Sequence, residues 1–437
     1  MKHLLISLLC VCFLQVSFGQ EQQQRQQRPQ QILPPMTEEQ QRTARMPQVS
    51  PFASPDWPGR LVPADSARMK KIDRVLPTRG LAIAAPSRDG VDAFCKFIEE
   101  DLAPAHFNML IIRIDWNYEY ECHPELRDPN PLRKEDIKKM VAVCKKHNIQ
   151  LAPQINLLGH QSWAGTTYAL LREYPEFDEA PHIRTEDYNE KYAVNGRPQP
   201  QSDMLYCKSY CPLHPQVHDV VFALVDELMD VFEAHWYHAG MDEVFHLGDE
   251  RCPRCRGIDK AVLFAGEVNK IQDHLSKSNR RLMIWGDRLI DGRVGATGLG
   301  AWEASLNNTA PAIGMINKDV YICDWHYGTP GLSAVQIAFN GLDVALCPYT
   351  NEGVAVQHLK DMLDWRTRSG MNRSVANRFQ GIIHTVWSGA DGFLRTYNNP
   401  ATFAPPSADR TDGYGGGPGG DSRVLKYLIE EFKKLNL

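Results

Sequence analysis

The chain has 437 residues, 43% of them hydrophobic, and a formal net charge of −5. That length builds one large barrel or two ordinary domains, with enough apolar residues for a sizeable core. Basic residues are scattered rather than clustered, which argues against a nucleic-acid partner.

The N-terminus reads as an export signal over residues 1–19. Lys2 and His3 precede an apolar run from Leu4 to Val16, and Ser17 and Gly19 are small residues before Gln20. The run is too short for a good membrane span. Leu9 and Val11, beside Cys10 and Cys12, are not the small residues that lipid attachment wants. Residues 20–50 are rich in Gln, Arg and Pro and read as a disordered leader. Later segments are not apolar enough to cross a membrane. The expectation is an exported protein, periplasmic or secreted, with residues 51–437 as one domain and no transmembrane segment.

From there strands and helices alternate. Strand candidates are 80–85, 108–114, 149–155, 236–240, 281–286, 320–325, 343–348 and 381–387. Helix candidates are 90–101, capped by Asp89, then 133–147, 216–234, 261–277, 307–315, 332–340, 354–368 and 423–435. In 133–147 the apolar positions Ile137, Met140, Val141 and Cys144 follow a period near 3.6. Eight strands, each followed by a helix, predict an α/β fold, a (β/α)8 TIM barrel forming a single catalytic domain. The stretch 159–215 is a long insertion after strand three, and loops of that length on the catalytic face are usually functional. The Gly- and Pro-rich stretch 398–420 reads as a loop after strand eight.

A barrel of this kind holds its chemistry at the C-terminal ends of its strands. The sequence puts acids and aromatics there: Asp115 and Trp116 after strand two, His160 after three, and Asp242 with Glu243 after four. Trp285 and Asp287 follow strand five, Trp325 and Tyr327 six, Tyr349 and Asn351 seven, and Trp387 and Asp391 eight; Arg79 stands just before strand one. A carboxylic acid to protonate a leaving oxygen and aromatic rings to hold a sugar are what glycan cleavage needs. No Gly-rich phosphate nest stands at a strand–helix junction, and Trp387-Ser388-Gly389 lacks the flanks of a serine nucleophile elbow. The pair Asp242-Glu243 is the centre of this pattern. Adjacent residues on a regular strand face opposite ways, so both share one pocket only where the strand breaks into a loop. The competing reading is an N-cap Asp with Glu in the first turn of a helix.

Several of these segments resemble one family. They are Arg79-Gly80-Leu81 before a strand, Asn108-Met109-Leu110 opening strand two, Asp136 to Lys139 leading through Lys146-His147-Asn148-Ile149 to Gly159-His160, and His238-Ala239-Gly240-Met241-Asp242-Glu243. In this order and spacing they resemble the β-N-acetylhexosaminidases of glycoside hydrolase family 20, over about residues 75–395. There are departures. Met241 replaces the second Gly of the family's His-x-Gly-Gly-Asp-Glu, and Leu158 replaces the Pro before Gly-His. Gln154 and Asn156 replace a Glu and an Asp, Asn351 replaces the Asp of Tyr-x-Asp, and Trp387-Ser388-Gly389 lacks the Glu of Trp-x-Glu. The small α/β domain that many members carry before the barrel does not fit into residues 20–75.

The resemblance implies retaining hydrolysis in which the 2-acetamido oxygen of the substrate is the nucleophile and an oxazolinium forms. Glu243 would be the general acid and then the base, with Asp242 orienting the acetamido N–H. Tyr349 would donate to the acetamido oxygen, with Tyr327 as second candidate. Arg79 would bind ring hydroxyls. Asp115 and His160, from their places on the rim, are further substrate-binding candidates, although His160 also fits a satisfied buried histidine. Trp285, Trp325 and Trp387 would wall the acetyl pocket and the sugar face, with plain core packing as the alternative. Asp391 or Glu303 would stand in for the missing strand-eight Glu, leaving gluco and galacto sugars both open. The partner is a glycan, and the chemistry requires no cofactor.

After the signal, nine cysteines remain. Cys144, Cys323 and Cys347 lie in apolar segments and read as buried thiols. Cys207-x3-Cys211 and Cys252-x2-Cys255 flank strand four and fit a four-thiolate structural zinc site, with disulfides as the rival in an exported protein. Two further functions stay open at this point: a retaining glycosidase with a carboxylate nucleophile, and a non-catalytic glycan-binding barrel.

Overall fold

The structure is a computed structural model. It describes residues 71–163, 165–185, 193–194, 197–198, 207–293, 299, 302–368, 372–399 and 419–435. The export signal, the leader and most of the loop 398–420 lie outside the described residues.

Eight parallel strands close into a barrel in sequential order: β1 Thr78–Ala84, β2 Met109–Arg113, β3 Gln150–Leu157, β4 Trp236–Gly240, β5 Arg281–Trp285, β6 Tyr321–Trp325, β7 Asp343–Cys347 and β8 Phe379–Gly389. Every strand expected from the sequence is present, shifted by at most two residues at most ends. The alternation within strands decides which residue goes where. Ala82, Met109, Ile111, Met283, Ala345 and Ile383 fill the barrel interior. Leu81, Ile83, Leu110 and Ile112, their neighbours, face the outer core beneath the helices.

The outer layer contains α1 Val91–Phe97, α2 Lys134–Lys146, α3 Val217–Val231, α4 Lys260–Ser276, α5 Ser333–Phe339, α6 Glu352–Arg368, α7 Ala390–Asn398 and α8 Gly420–Leu435. In α2 the expected stripe of Ile137, Met140, Val141 and Cys144 is the buried face. Among the described residues no helix is long and apolar enough to cross a membrane.

Four local expectations change. Asp89 does not cap α1; the N-cap is Gly90, and Asp89 sits in a preceding 3-10 turn. That helix ends at Phe97 and continues as one π turn over Ile98–Leu102. The helix expected at 307–315 is a 3-10 turn, Ala310–Gly314, with Pro311 in its first turn. Helix α7, not among the helices expected from the sequence, buries Ala390, Phe393, Leu394 and Tyr397.

The β3–β4 pairing is irregular. Gln154 pairs with His238 and Leu157 with Gly240, with a register shift between the two. Such bulges sit beside active sites because they re-aim side chains, and this one lies directly under the Asp242-Glu243 turn.

Candidate active site

Gly240 ends β4 at φ +67°, Met241 follows at +64° and Glu243 stands at +49°. This run of left-handed residues breaks the strand's alternation, so neighbouring carboxylates reach the same imidazole. No helix follows before α4, which rules out the N-cap reading of Asp242-Glu243. Gly240 cannot be replaced without strain, because a Cβ there would lie 2.2 Å from Oδ1 of Asn156 on the β3 bulge. Met241 bears the same backbone conformation with a side chain, at a cost of about 1–2 kcal/mol. Its side chain is fully buried. Burying a Met is worth about 1.5–3 kcal/mol, so the substitution at the family's second Gly is tolerated.

His160 gathers the two acids. Its Nε2 lies 3.2 Å from Oδ2 of Asp242 and 3.2 Å from Oε2 of Glu243. Its Nδ1 lies 3.3 Å from Sγ of Cys207, whose thiol donates to the same Glu243 oxygen at 3.5 Å. Asp242 and Glu243 are 5% and 7% exposed. Burial alone would lower the His160 pKa, but its neighbours Cys207 and Asp242 more than offset this and raise it well above 6.5. Burial pushes the Cys207 thiol up, so sulfur stays protonated near neutrality and Asp242 is the charge that His160 answers. Burial pushes Asp242 up as well, yet the charge and hydrogen bond of His160 bring it below 3.8. The consistent proton arrangement is an imidazolium donating from Nδ1 to sulfur and from Nε2 to the Asp242 carboxylate.

An open cavity of about 460 Å³ lies in front of this cluster, within the size range of small-molecule sites. Asp115, His160, Asp242 and Trp387 line it, with Arg113, Trp116, Asp128, Asn156, Trp163 and Tyr168. Asp115 is held in place by the N–H of Asn156, donating to Oδ1 at 2.9 Å, and by Arg113 at 3.6 Å. Burial raises the Asp115 pKa, against the opposing charge of Arg113.

Trp285, Trp325, Tyr327 and Tyr349 do not line this cavity; Trp285 and Tyr327 adjoin it through Trp387, and Trp325 and Tyr349 pack on Tyr327. Trp285 lies 5.6 Å from Trp387, Trp325 5.0 Å from Tyr327, and Tyr327 5.2 Å from Tyr349, ring centre to ring centre. Nε1 of Trp387 donates to the Tyr327 hydroxyl at 2.8 Å. Trp387 also lines a second, water-sized cavity with Trp285 and Arg113.

Two expected site residues are elsewhere. Arg79 belongs to the opposite end of the barrel. Because β1 starts at Thr78, Arg79 sits at its N-terminal end, and its guanidinium donates to the carbonyls of Leu76, Pro77 and His106 and to Asp73. Asp391 is in the first turn of α7, and its Oδ2 accepts the N–H of Ser87 at 2.8 Å. Glu303, the other stand-in, pairs with His326 at 3.0 Å and accepts from Tyr327 N–H.

Four contributors were not expected from the sequence. Arg113 packs its guanidinium 5.2 Å over the Trp387 ring. Trp163, 47% exposed, stacks on His160 with ring planes 11° apart. Asp287, noted only as a rim acid, accepts the Glu243 N–H at 2.9 Å, and burial raises its pKa to about 6 despite the adjacent Arg288. Cys207 is the fourth. An aromatic three residues after a Gly-His turn was a usable signal for Trp163; nothing in the local sequence marks Cys207 as an active-site thiol.

The cysteine set is therefore divided. Cys207 lies at the acids, whereas Cys211, Cys252 and Cys255 cluster with Glu179. The nine described cysteines form no disulfide with one another.

Residues 118–388 match the glycosyl hydrolase family 20 catalytic domain. A beta-hexosaminidase of Akkermansia muciniphila is 27% identical over 227 residues, covering 46% of this chain and 41% of that protein. A lacto-N-biosidase of Bifidobacterium bifidum is 22% identical over 217 residues, covering 47% of this chain and 17% of its own length. The chain thus spans less than half of these curated relatives. The crystal structure of a beta-N-acetylhexosaminidase superposes with a TM-score of 0.52 at 17% identity, covering 82% of this chain and 76% of that one. The Flavobacterium johnsoniae chitobiase superposes with a TM-score of 0.51 at 17% identity, over 82% and 51% of the two chains. These two likenesses support the barrel fold. The family match covers more than half of the sequence and contains the carboxylate pair, His160 and the Trp387 rim: the chain belongs to glycosyl hydrolase family 20.

Proposed function

We propose that the protein removes β-linked N-acetylhexosamine from a glycan by substrate-assisted, retaining hydrolysis, and that it does so outside the cytoplasm. One observation carries the chemistry. Oδ1 of Asp242 is buried in the cavity wall and has no hydrogen-bond partner among the described residues, while Oδ2 is tied to His160. A buried carboxylate oxygen calls for a donor. The N–H of a 2-acetamido group supplies one, and a plain hexose has only hydroxyls at that position.

In the first step the acetamido oxygen attacks C1 and the bond from C1 to the leaving oxygen breaks. The leaving oxygen takes its proton from Glu243. The oxazolinium that forms carries positive charge, which the anionic Asp242 offsets through the N–H, and Tyr349 donates to the acetamido oxygen. Water then attacks C1 with Glu243 as base, and the ring reopens with net retention. The two carboxylates are gathered on one imidazole rather than facing each other across the sugar. That arrangement suits an acid with a neighbouring orienting group better than an acid with an opposed nucleophile. Trp163 and Trp387 offer ring faces to the sugar, and Arg113 with Asp115 takes the hydroxyl-binding part first given to Arg79. The scheme needs no cofactor. Export rests on the N-terminal sequence pattern alone.

The test is hydrolysis of an aryl N-acetyl-β-glucosaminide, the matching galactosaminide and an aryl β-glucoside by the full chain. Release from either N-acetyl sugar and none from the glucoside supports the reading. Equal release from the glucoside favours a carboxylate nucleophile, and binding of N-acetyl sugars without any release favours a glycan-binding barrel.

A further inference from the structure

We propose that Glu179, Cys211, Cys252 and Cys255 form a tetrahedral zinc site that pins the insertion after β3 to the loop after β4. Sγ of Cys211 lies 3.6 Å from Sγ of Cys252 and 3.3 Å from Sγ of Cys255. All four ligand atoms, including a Glu179 oxygen, fall within 4.8 Å of one another. Ligands at ~2.3 Å around a tetrahedral ion stand about 3.8 Å apart, whereas a disulfide brings sulfurs to about 2.05 Å. The observed spacing is close to the first and far from the second. Three sulfurs also cannot be consumed by one disulfide.

A second observation concerns Glu179. The residue is 1% exposed, and its Oε2 is buried with no hydrogen-bond partner among the described residues. Its Oε1 accepts the N–H of Asp249 at 3.0 Å, which fixes the carboxylate the way ligands of metal sites are fixed by an outer partner. The turn Cys252-Pro253-Arg254-Cys255 adds a backbone donor to sulfur, since Cys255 N–H points at Sγ of Cys252 at 3.4 Å. Three thiolates and one carboxylate select zinc over calcium or magnesium, which prefer all-oxygen shells.

The site joins segments that no regular element joins. Glu179 and Cys211 come from the insertion, whose other parts present His160 and Cys207 to the acids. Cys252 and Cys255 come from the loop that begins at Asp242. An ion here would hold both walls of the catalytic cluster without touching it. Cys207, grouped with these cysteines by sequence spacing, takes no part.

Metal analysis of the full chain purified from zinc-supplemented medium tests this, with X-ray absorption at the zinc edge. About one zinc per chain is expected, with three sulfurs at ~2.3 Å and one oxygen. Replacement by cobalt should give the intense sulfur-to-cobalt charge-transfer and visible bands of a tetrahedral site. Zinc content should fall at least tenfold in Cys255→Ser and stay at one in Cys207→Ser and Cys144→Ser. Should Cys255→Ser not fold, the wild-type measurements decide alone. Wild type with less than about a tenth of a zinc, a disulfide between any two of the three cysteines by mass spectrometry, or cobalt protein without thiolate bands would overturn the site.

Discussion

The thiol of Cys207 donates to Oε2 of Glu243 at 3.5 Å, so the carboxylate assigned the proton transfers is buttressed by sulfur from the β3 insertion. Cys207→Ala removes that donor and leaves His160 Nδ1 without its sulfur partner. A neutral hydrogen bond of this kind contributes about 0.5–1.5 kcal/mol. The expected loss in kcat is therefore about threefold to tenfold, with Cys207→Ser restoring most of it. Full kcat in Cys207→Ala would show that the thiol is only a spacer.

His160 and Asp242 give stability a defined pH window. The His160 pKa is raised on folding, so its contribution is complete below about 6.5 and is lost as pH rises through the higher folded value. The Asp242 pKa is lowered, so its contribution is present above about 3.8 and is lost as pH falls through the folded value. Between about pH 4 and 6.5 both act fully. Melting curves should therefore show wild type losing more Tm than His160→Asn between pH 7 and 9.5. Parallel curves would mean that His160 is neutral in the folded protein.

Arg79 should behave as part of the framework. Its guanidinium is buried against three carbonyls and Asp73 at the closed end of the barrel. Breaking a buried pair of this kind costs about 3–5 kcal/mol. Arg79→Met is expected to lower Tm by several degrees while the folded fraction keeps its KM for aryl N-acetylglucosaminide. A large rise in KM with unchanged Tm would return Arg79 to sugar binding.

Glu243→Gln separates the acid role from structural ones. An activated aryl leaving group needs little proton transfer, whereas an alkyl or sugar alcohol needs a full one. The variant should lose about 100-fold or more on poor leaving groups and far less on dinitrophenyl glycosides, in the step that releases the aglycone. Equal losses on both would remove Glu243 from the acid role.

The strands were legible because each is a short apolar run bounded by turns, and the acids at their ends followed from barrel geometry. Arg79 was misplaced against the geometry: a residue just before strand one already lies at the N-terminal end of the barrel, opposite the rim that carries the acids, and only the family resemblance drew it to the sugar. Asp391 was misread because α7 was not recognised, so its helix-start role at Ser87 was invisible. The cysteines were divided wrongly because the path of residues 159–215 obeys no periodicity. Cys207 and Cys211 are four apart in sequence, yet one faces Glu243 and the other Cys255. Glu179 carries no local mark of a ligand and becomes one only through the folding of that insertion.

The central claim is that Asp242 holds the acetamido group for attack by its own oxygen. Its effect belongs to the transition state, where the acetamido nitrogen gains charge, more than to ground-state binding. Asp242→Asn should therefore lower kcat by about 10²–10³ with little change in KM. The most direct measurement is binding of a thiazoline analogue of the oxazolinium, compared with the product sugar, in wild type and in Asp242→Asn. Wild type should bind the thiazoline at least 100-fold more tightly than N-acetylglucosamine or N-acetylgalactosamine, and the variant should lose most of that preference. Thiazoline bound no better than either sugar, or a fluorosugar trapped as an ester on Asp242 or Glu243, would contradict the account.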